Sequence, residues 1–299
     1  MGTLTVSKLG KTLRAAVRLR TARRVFQSLI PPSYFLKTTW PRIERRIVDN
    51  WSDGYILRED GLYMYLPARL DEIARFQLLH PIEKNHMVRR FCPTGGTSID
   101  VGANIGEWTL AMSASVGSAG KVFAFEPVSD IAAILRKSVW INRFAQTEVV
   151  ETALSDVPGR GVFTIRDDHS GMSGFDGPLV RSEKERTLEV PKTTLDAFVA
   201  DRKLDRLDFI KIDVERHEAE VVAGARETLA RFKPALVLEA GLESAEQRDR
   251  IYTMLRTAGY DIAGIVVSHG IVACDGDAYR YMAAPFETGR HDNVLFLGA

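Results

Sequence analysis

One short stretch of the chain contains four residues whose side chains or backbone freedom could serve a ligand site. They are Asp100, Gly102, Asn104 and Gly106. Asp100 belongs to the predicted strand 98–101, and the other three residues follow this strand and precede a helical pattern, which indicates a strand-to-helix turn. In an open parallel sheet such turns border the ligand crevice, where glycine allows close approach of the backbone to a ligand. The amides and the positive dipole end of the following helix suit a carboxylate. The alternative is a tight turn that binds nothing.

The spacing of this turn favours an amino-acid ligand over a dinucleotide. The dinucleotide fingerprint Gly-x-Gly-x-x-Gly requires its second glycine at position 104, where this chain has Asn104. A pyrophosphate would lose its close approach to the backbone there, whereas an amino-acid moiety needs less room. Asp100 can then meet the ammonium group of that moiety, directly or through water.

Two further predicted strand ends supply groups suited to a nucleoside. Glu126 follows the strand 121–125 and precedes Pro127, and an acidic residue at that place can accept both ribose hydroxyls. Ala153 and Leu154, at the end of the next predicted strand, could line an adenine ring. The alternatives are a surface glutamate in the first case and an ordinary turn in the second.

A third cluster, Asp213, Glu215, His217 and Glu218, lies where the fourth predicted strand gives way to a helix. An alcohol is a poor nucleophile until a base takes its proton, so ionised Asp213 or Glu215, or neutral His217, is a candidate general base. The alternative is that the glutamates complement the helix dipole, which is the interpretation we prefer for Glu218.

A metal-assisted version of the same chemistry would use Asp213 with Glu239, at the ends of adjacent strands. Carboxylate oxygens are the ligands that hard divalent cations prefer. We favour a site without metal, in which Glu239 contacts the acceptor or closes the pocket.

The elements around these residues are typical of an α/β protein with a doubly wound parallel sheet, because short apolar runs alternate with helical stretches from Thr97 onward. Helices are indicated by apolar spacing in 131–139 and 220–229. The polar, glycine-rich stretch 160–191 is too long for a plain connection, so we expect a loop or hairpin beside a site. The predicted strands are Ser98–Val101, Lys121–Phe125, Glu148–Ala153, Leu207–Ile212, Leu236–Leu238, Asp261–Val267 and Val294–Leu297.

The sequence predicts two parts. Residues 1–90 form a helical and hairpin cap, and residues 91–299 form the main domain. Asp60-Gly61 suits a tight turn between two short strands, and 70–91 is predicted helical. Residues 7–30 form a basic amphipathic pattern that Pro31 and Pro32 end. This pattern fits either an anchor on an anionic membrane surface or a solvated helix packed on the domain.

Composition and charge narrow the classes of partner. The chain has 299 residues, with 45% hydrophobic and 26% charged, as in ordinary globular proteins. Residues 1–50 carry eleven Lys or Arg and two acids, so the net charge of +1 divides into +9 there and −8 in the remainder. The main body therefore has no reason to bind nucleic acid. Two cysteines without metal-ligand spacing and the lack of a long apolar run favour a cytoplasmic protein, peripheral at the inner membrane surface if the basic segment binds there.

Five motifs occur along the chain in a fixed order. They are Asp100–Gly106, Phe125-Glu126-Pro127, Ala153–Asp156, Thr194-Leu195-Asp196 and Ile210–Glu215. In their order and spacing these motifs resemble those of the FkbM family of methyltransferases.

That resemblance implies a class I, Rossmann-like fold, in which seven mostly parallel strands end on an antiparallel one. It also implies S-adenosylmethionine as the cofactor. Members of the family mostly methylate hydroxyl oxygens of sugars, glycolipids, polysaccharides or polyketides, so the expected partner is a small-molecule or glycan acceptor. The chain departs from the family at Arg216, where glycine is usual. A large cation there could narrow the acceptor pocket or select an acidic acceptor.

Two other functions compete with methyl transfer. One is a nicotinamide-dependent oxidoreductase, which Asn104 disfavours. The other is a binding module without catalytic activity, which the basic N-terminal segment would dock to a membrane or polymer. The sequence leaves the oligomeric state open.

Overall fold

A computed structural model describes residues 45, 48–58, 60–69, 71–79, 85–167, 171, 173–175, 185–240, 244–267, 270–276, 279 and 292–298. The predicted basic helix over 7–30 lies outside these residues. Within them, no helix has the length and apolar character needed to cross a bilayer.

The centre of the fold is a sheet in the order β12-β11-β13-β10-β9-β3-β4-β5. The neighbours from β10 to β5 pair in parallel, whereas β13 is antiparallel to both β10 and β11. The described sheet therefore has eight strands rather than the predicted seven, because the short strand β12 pairs antiparallel with β11 at the edge. The strands of this sheet are β3 (Thr97–Val101), β4 (Lys121–Phe125), β5 (Thr147–Val150), β9 (Phe209–Ile212), β10 (Ala235–Ala240), β11 (Tyr260–Val267), β12 (Gly270–Val272) and β13 (Asp292–Gly298).

Helices cover both faces of the sheet, which explains why nearly every residue of the central strands β3, β4 and β9 is buried. Helices α5 to α8 pack on the face that carries Ile99 and Ile210. Helices α2 and α3 pack on the opposite face, against Phe209 and Val237. The helices are α1 (Glu72–Leu79), α2 (Asn85–Phe91), α3 (Glu107–Val116), α4 (Ser129–Ile141), α5 (Leu195–Asp201), α6 (Glu218–Ala223), α7 (Arg226–Phe232) and α8 (Ala245–Thr257).

Two predicted elements are divided in the part of the chain that the structure describes. The strand predicted over 148–153 ends at Val150, where the amide of Thr152 bonds back to the Val150 carbonyl at 2.9 Å. The chain then continues as β6 (Ala153–Leu154) in another sheet. The predicted helix 220–229 is broken at Gly224 into α6 and α7. Within the predicted helix 70–91, the described residues form α1 and α2.

The stretch predicted as a loop or hairpin over 160–191 contains a hairpin. Strands β7 (Gly159–Arg166) and β8 (Glu185–Thr193) pair antiparallel, and β6 joins β8 in parallel to complete a three-stranded sheet. Residues 173–175 run beside β7 through the Thr164–Gly174 bridge. Gly174 also lies close to the segment that follows β9, since a Cβ built on it would be 3.0 Å from the Glu215 carbonyl oxygen.

The predicted N-terminal hairpin is confirmed as β1 (Gly54–Leu57) and β2 (Tyr63–Leu66). Side chains of α4 and of the residue that follows it bond the edge of β2. Ser138 Oγ accepts from the Tyr65 amide at 2.9 Å, and Asn142 Oδ1, just after α4, accepts from the Tyr63 amide at 2.9 Å. The Asn142 side-chain amide also donates to the Tyr63 carbonyl at 2.6 Å. The hairpin is thus hydrogen-bonded to a helix of the main sheet; the domain boundary near residue 90 stays a prediction.

Candidate functional site

The predicted site residues gather at one edge of the main sheet. The carboxyl ends of the adjacent strands β4, β3, β9 and β10 meet there. These ends carry Glu126, the turn 102–106, Asp213 and Glu239, in that spatial order. Residues far apart in the chain are therefore neighbours because parallel strands place their carboxyl ends together.

The glycines of the turn serve the packing of the protein itself. Gly102 has φ +79°, and a Cβ built on it would lie 1.7 Å from the Asp213 carbonyl oxygen. Gly106 has φ +100°, and its Cβ would lie 2.4 Å from Leu135 Cδ1. Both glycines therefore have a reason in the packing of the protein, beside the predicted approach of a ligand. They let the turn lie against the end of β9 and against α4, and cofactor contact by them stays a prediction.

Asn104 and Glu126, which follow β3 and β4, are hydrogen-bonded to each other. Asn104 adopts φ +46°, a left-handed conformation that asparagine tolerates better than most residues. The backbone amide of Asn104 donates to Glu126 Oε2 at 3.0 Å, and the backbone amide of Val128 donates to Glu126 Oε1 at 3.0 Å. Burial raises the pKa of Glu126 to about 7, against the lowering effect of these two donors. The Glu126 carboxylate is therefore held in place by backbone alone, with Pro127 beside it.

Asp100 lies beneath the turn rather than at its surface. It is buried, and Thr109 of α3 donates its hydroxyl proton to Asp100 Oδ2. Burial raises the pKa of Asp100 to about 6, although the Thr109 bond and the charge of Lys211 both lower it. Whether it meets a ligand ammonium stays a prediction, as does the adenine contact of Ala153 and Leu154, which are both buried in β6.

Lys211 was not among the predicted site residues. It lies among the carboxylates at the ends of β9 and β10. Its side chain is fully buried, and Nζ lies 2.8 Å from Asp213 Oδ2. Burial acts to lower the pKa of Lys211, but the charges of Asp213 and Glu239 outweigh burial and raise it. The signal available in the sequence was a lysine inside the apolar strand Phe-Ile-Lys-Ile, two residues before an aspartate.

The carboxylates around Lys211 form a tight group. Oxygens of Asp213, Glu215 and Glu239 all lie within 4.8 Å of one another, and the three side chains are partly buried. Burial and then the charge of Asp213 raise the pKa of Glu239 well above its ordinary value. Crowded carboxylates relieve their repulsion by keeping a proton or binding a cation. Here one cation, the Lys211 ammonium, belongs to the protein.

His217 lies at the border of this group, under the second sheet. Its Nε2 is 3.0 Å from Ser155 Oγ, and its Nδ1 is 3.7 Å from Glu220 Oε2. The Phe175 ring lies 4.6 Å from the imidazole, centroid to centroid. Both ring nitrogens thus face groups of the protein, which makes His217 a wall of the site more than an open base.

The backbone at 214–218 is shaped by hydrogen bonding and strain. The first residue of α6, Glu218, is buried and accepts from the Val214 amide at 3.1 Å. Glu215 and Arg216 adopt φ +52° and φ +74°, which costs a residue with a Cβ about 1–2 kcal/mol. The left-handed conformation of Arg216 gives a physical reason for the glycine that the FkbM motif usually has there.

A cleft of about 390 Å³ lies beside the glycine turn. Its apolar wall is formed by Ile105, Ile131 and Ile134, and its rim carries charged side chains, among them Arg69 and Arg186. It is bordered by the hairpin cap, the start of α4 and the second sheet. The mixed walls suit a ligand that has both an apolar surface and polar groups.

Comparison with known proteins identifies the family. The model of the FkbM methyltransferase domain matches residues 100–262, which is more than half of the chain. This chain belongs to the FkbM methyltransferase family. The resemblance seen in the sequence is thereby confirmed, and with it the S-adenosylmethionine-dependent class of the matched domain. A shared family does not identify the methyl acceptor.

Individual relatives of this FkbM chain are distant. It is 27% identical over 209 residues to the AMB antimetabolite synthetase AmbE of Pseudomonas aeruginosa, covering 57% of this chain and 10% of that protein. It is 25% identical over 197 residues to the methyltransferase sdnD of Sordaria araneosa, covering 57% of this chain and 75% of that protein. A solved structure of methyltransferase FkbM from Methylobacillus flagellatus is 17% identical, with a TM-score of 0.43. The match covers 75% of this chain and 52% of that one. The chain thus spans only about a tenth of AmbE and half of that structure's chain.

Proposed function

We propose that this protein binds S-adenosylmethionine at the carboxyl ends of β3 and β4 and transfers its methyl group to a hydroxyl oxygen. The acceptor is a sugar, glycolipid, polysaccharide or polyketide-type molecule. The observation that carries the proposal is the meeting of two dissimilar half-sites at one sheet edge. One half-site offers Glu126 and the helix N-terminus of α3, and the other offers Asp213 beside a buried ammonium.

The residues present fit the cofactor. Each oxygen of Glu126 accepts one backbone amide, and a carboxylate oxygen can accept a second donor, such as a ribose hydroxyl. The first turn of α3, after Gly106, presents the positive end of a ten-residue helix to a carboxylate. When bound, S-adenosylmethionine supplies an electrophilic methyl group on a sulfonium.

We assign Asp213 as the general base, which accepts the proton of the acceptor hydroxyl. Its side chain is 29% exposed, whereas the His217 side chain is 12% exposed and has both ring nitrogens against protein groups. An ionised carboxylate that bonds the hydroxyl increases the electron density on the attacking oxygen. Glu215 and His217 then form the acceptor side of the site.

The first test of this proposal is a transfer assay. Cell extract is incubated with the protein and S-adenosylmethionine labelled in its methyl group, and the labelled product is identified. Calorimetric titration with S-adenosylmethionine and with NAD accompanies it. We expect tight binding of the former alone and one labelled acceptor fraction. Tight binding of NAD, or no binding of either compound, contradicts the proposal.

The second test separates the base from the fold. We expect Asp213→Asn to bind S-adenosylmethionine like the wild type and to lose about 100-fold or more in kcat, as general bases do. The matched control is Asp205→Asn, an exposed aspartate just before β9 at the opposite end of the strand, which should keep full activity. An active Asp213→Asn variant would remove the assigned base.

A further inference from the structure

The register of three strands places Lys211 among acidic groups. On β9, Lys211 pairs in register with Asp100 of β3 on one side and with Val237 of β10 on the other. Side chains two residues apart on a strand point to the same face. Asp213 and Glu239 therefore share the face of Lys211, one step nearer the carboxyl edge.

The contacts of Lys211 show that its position is defined. Nζ lies 2.8 Å from Asp213 Oδ2, donates to the Ile212 carbonyl at 3.2 Å, and lies 5.4 Å from the centre of the Trp108 ring. The Trp108 ring of α3 covers it from above the sheet. Lysine is a flexible side chain, so three different contacts at full burial indicate one fixed conformation.

The charge balance of the cluster makes this lysine more than a packing residue. Asp100, Asp213 and Glu239 all act on Lys211, and Glu215 adds its charge to Glu239. Several carboxylates at such short distances cannot all be ionised without a compensating cation. One buried ammonium compensates one carboxylate, and the one it touches directly is Asp213.

We propose that Lys211 is a positioning residue for methyl transfer, which holds the Asp213 carboxylate in one orientation toward the acceptor. This inference rests on the proposed function, since Lys211 acts through the base assigned there.

A merely structural ion pair would give different measurements. Removing a structural pair lowers stability and leaves the remaining folded protein active, whereas a positioning role appears in kcat and depends on Asp213. A double-mutant cycle isolates this dependence, because residues that act as a unit are not additive.

The experiment compares Lys211→Met, Lys211→Arg, Asp213→Asn and the double variant Lys211→Met/Asp213→Asn, using the acceptor fraction that the wild type labels. We expect Lys211→Met to lose about 100-fold in kcat, comparable to loss of a general base, with KM for S-adenosylmethionine nearly unchanged. Lys211→Arg keeps the charge and should recover about 10-fold of this loss, less than fully because the guanidinium is larger and planar. In the Asp213→Asn background, Lys211→Met should cost less than about 3-fold.

The matched control is Lys233→Met. Lys233 is a partly buried lysine that donates to the Ala258 carbonyl at 2.8 Å, away from the carboxylate cluster, and its loss should leave kcat unchanged. If Lys211→Met fails to fold because it leaves a buried carboxylate uncompensated, the double variant removes both charges and is compared with Asp213→Asn.

Two outcomes overturn the inference. One is an unchanged kcat in Lys211→Met, and another is an equal loss from Lys211→Met in both backgrounds. If the wild type labels no acceptor at all, the proposed function has failed instead, and cofactor titration of each variant shows this separately.

Discussion

Replacing Gly102 with alanine introduces two costs that the structure allows to be separated. The first is conformational, because φ at this residue is +79° and a residue with a Cβ pays about 1–2 kcal/mol there. The second is steric, because the new Cβ would lie 1.7 Å from the Asp213 carbonyl oxygen, which belongs to backbone and cannot rotate away. Overpacking of this kind costs about 1–3 kcal/mol. The expected loss is roughly 2–5 kcal/mol, out of the 5–15 kcal/mol typical of a domain.

Gly95→Ala provides the matched comparison. Gly95 has φ +75°, and a Cβ built there meets nothing within 4 Å, so this variant pays the conformational cost alone. The effect of alanine on the unfolded chain is the same at both positions and cancels. Urea titration of both variants should therefore place Gly102→Ala about 1–3 kcal/mol below Gly95→Ala. Because the clash is with Asp213, the folded fraction of Gly102→Ala should also transfer methyl groups more slowly. Equal stabilities, or a Gly102→Ala enzyme of normal rate, would refute the reasoning.

Two further predictions concern other buried or strained positions. Arg216→Gly should raise the free energy of unfolding by about 1 kcal/mol, because glycine adopts the φ of +74° without strain; a lower denaturation midpoint would contradict this. For Glu126, the folded-state pKa of about 7 lies above the ordinary value of 4.5, so its stabilising contribution is present below pH 4.5 and is lost as the pH rises to 7. The wild type should therefore lose about 3 kcal/mol more than Glu126→Gln between pH 4.5 and 7.5, as measured by urea titration at each pH. Parallel curves for the two proteins would show that Glu126 is not desolvated.

The main features of the fold were predictable from the sequence because the central strands are short apolar runs and the turns carry glycine. The run 121–125 was located to the residue, and the Asp60-Gly61 hairpin was confirmed. The strand predicted over 148–153 was wrong at its end, since Ala153 and Leu154 pair with Lys192 and Thr193, almost forty residues later. Local pattern contains no information about such a partner.

The sequence indicated candidate residues for the site, but not the contacts that these residues make in the structure. The turn, Glu126 and Asp213 were identified because polar residues at strand ends need a reason. Lys211 was missed because a lysine in a strand usually reaches solvent, whereas this one is fully buried beside Asp100. Likewise, the sequence shows that Gly102 is glycine, but not which atom lies where a side chain would be.

The way α4 bonds the edge of β2 has a consequence for expression of shorter versions of this protein. A truncated chain that begins at residue 91 would deprive Ser138 and Asn142 of the amides they bond and would uncover the apolar surface under the hairpin, including Ile105 and Ile131. Such a fragment would be poorly soluble and would lack one wall of the cleft. Recombinant work on the catalytic part should therefore retain the hairpin from residue 51 onward.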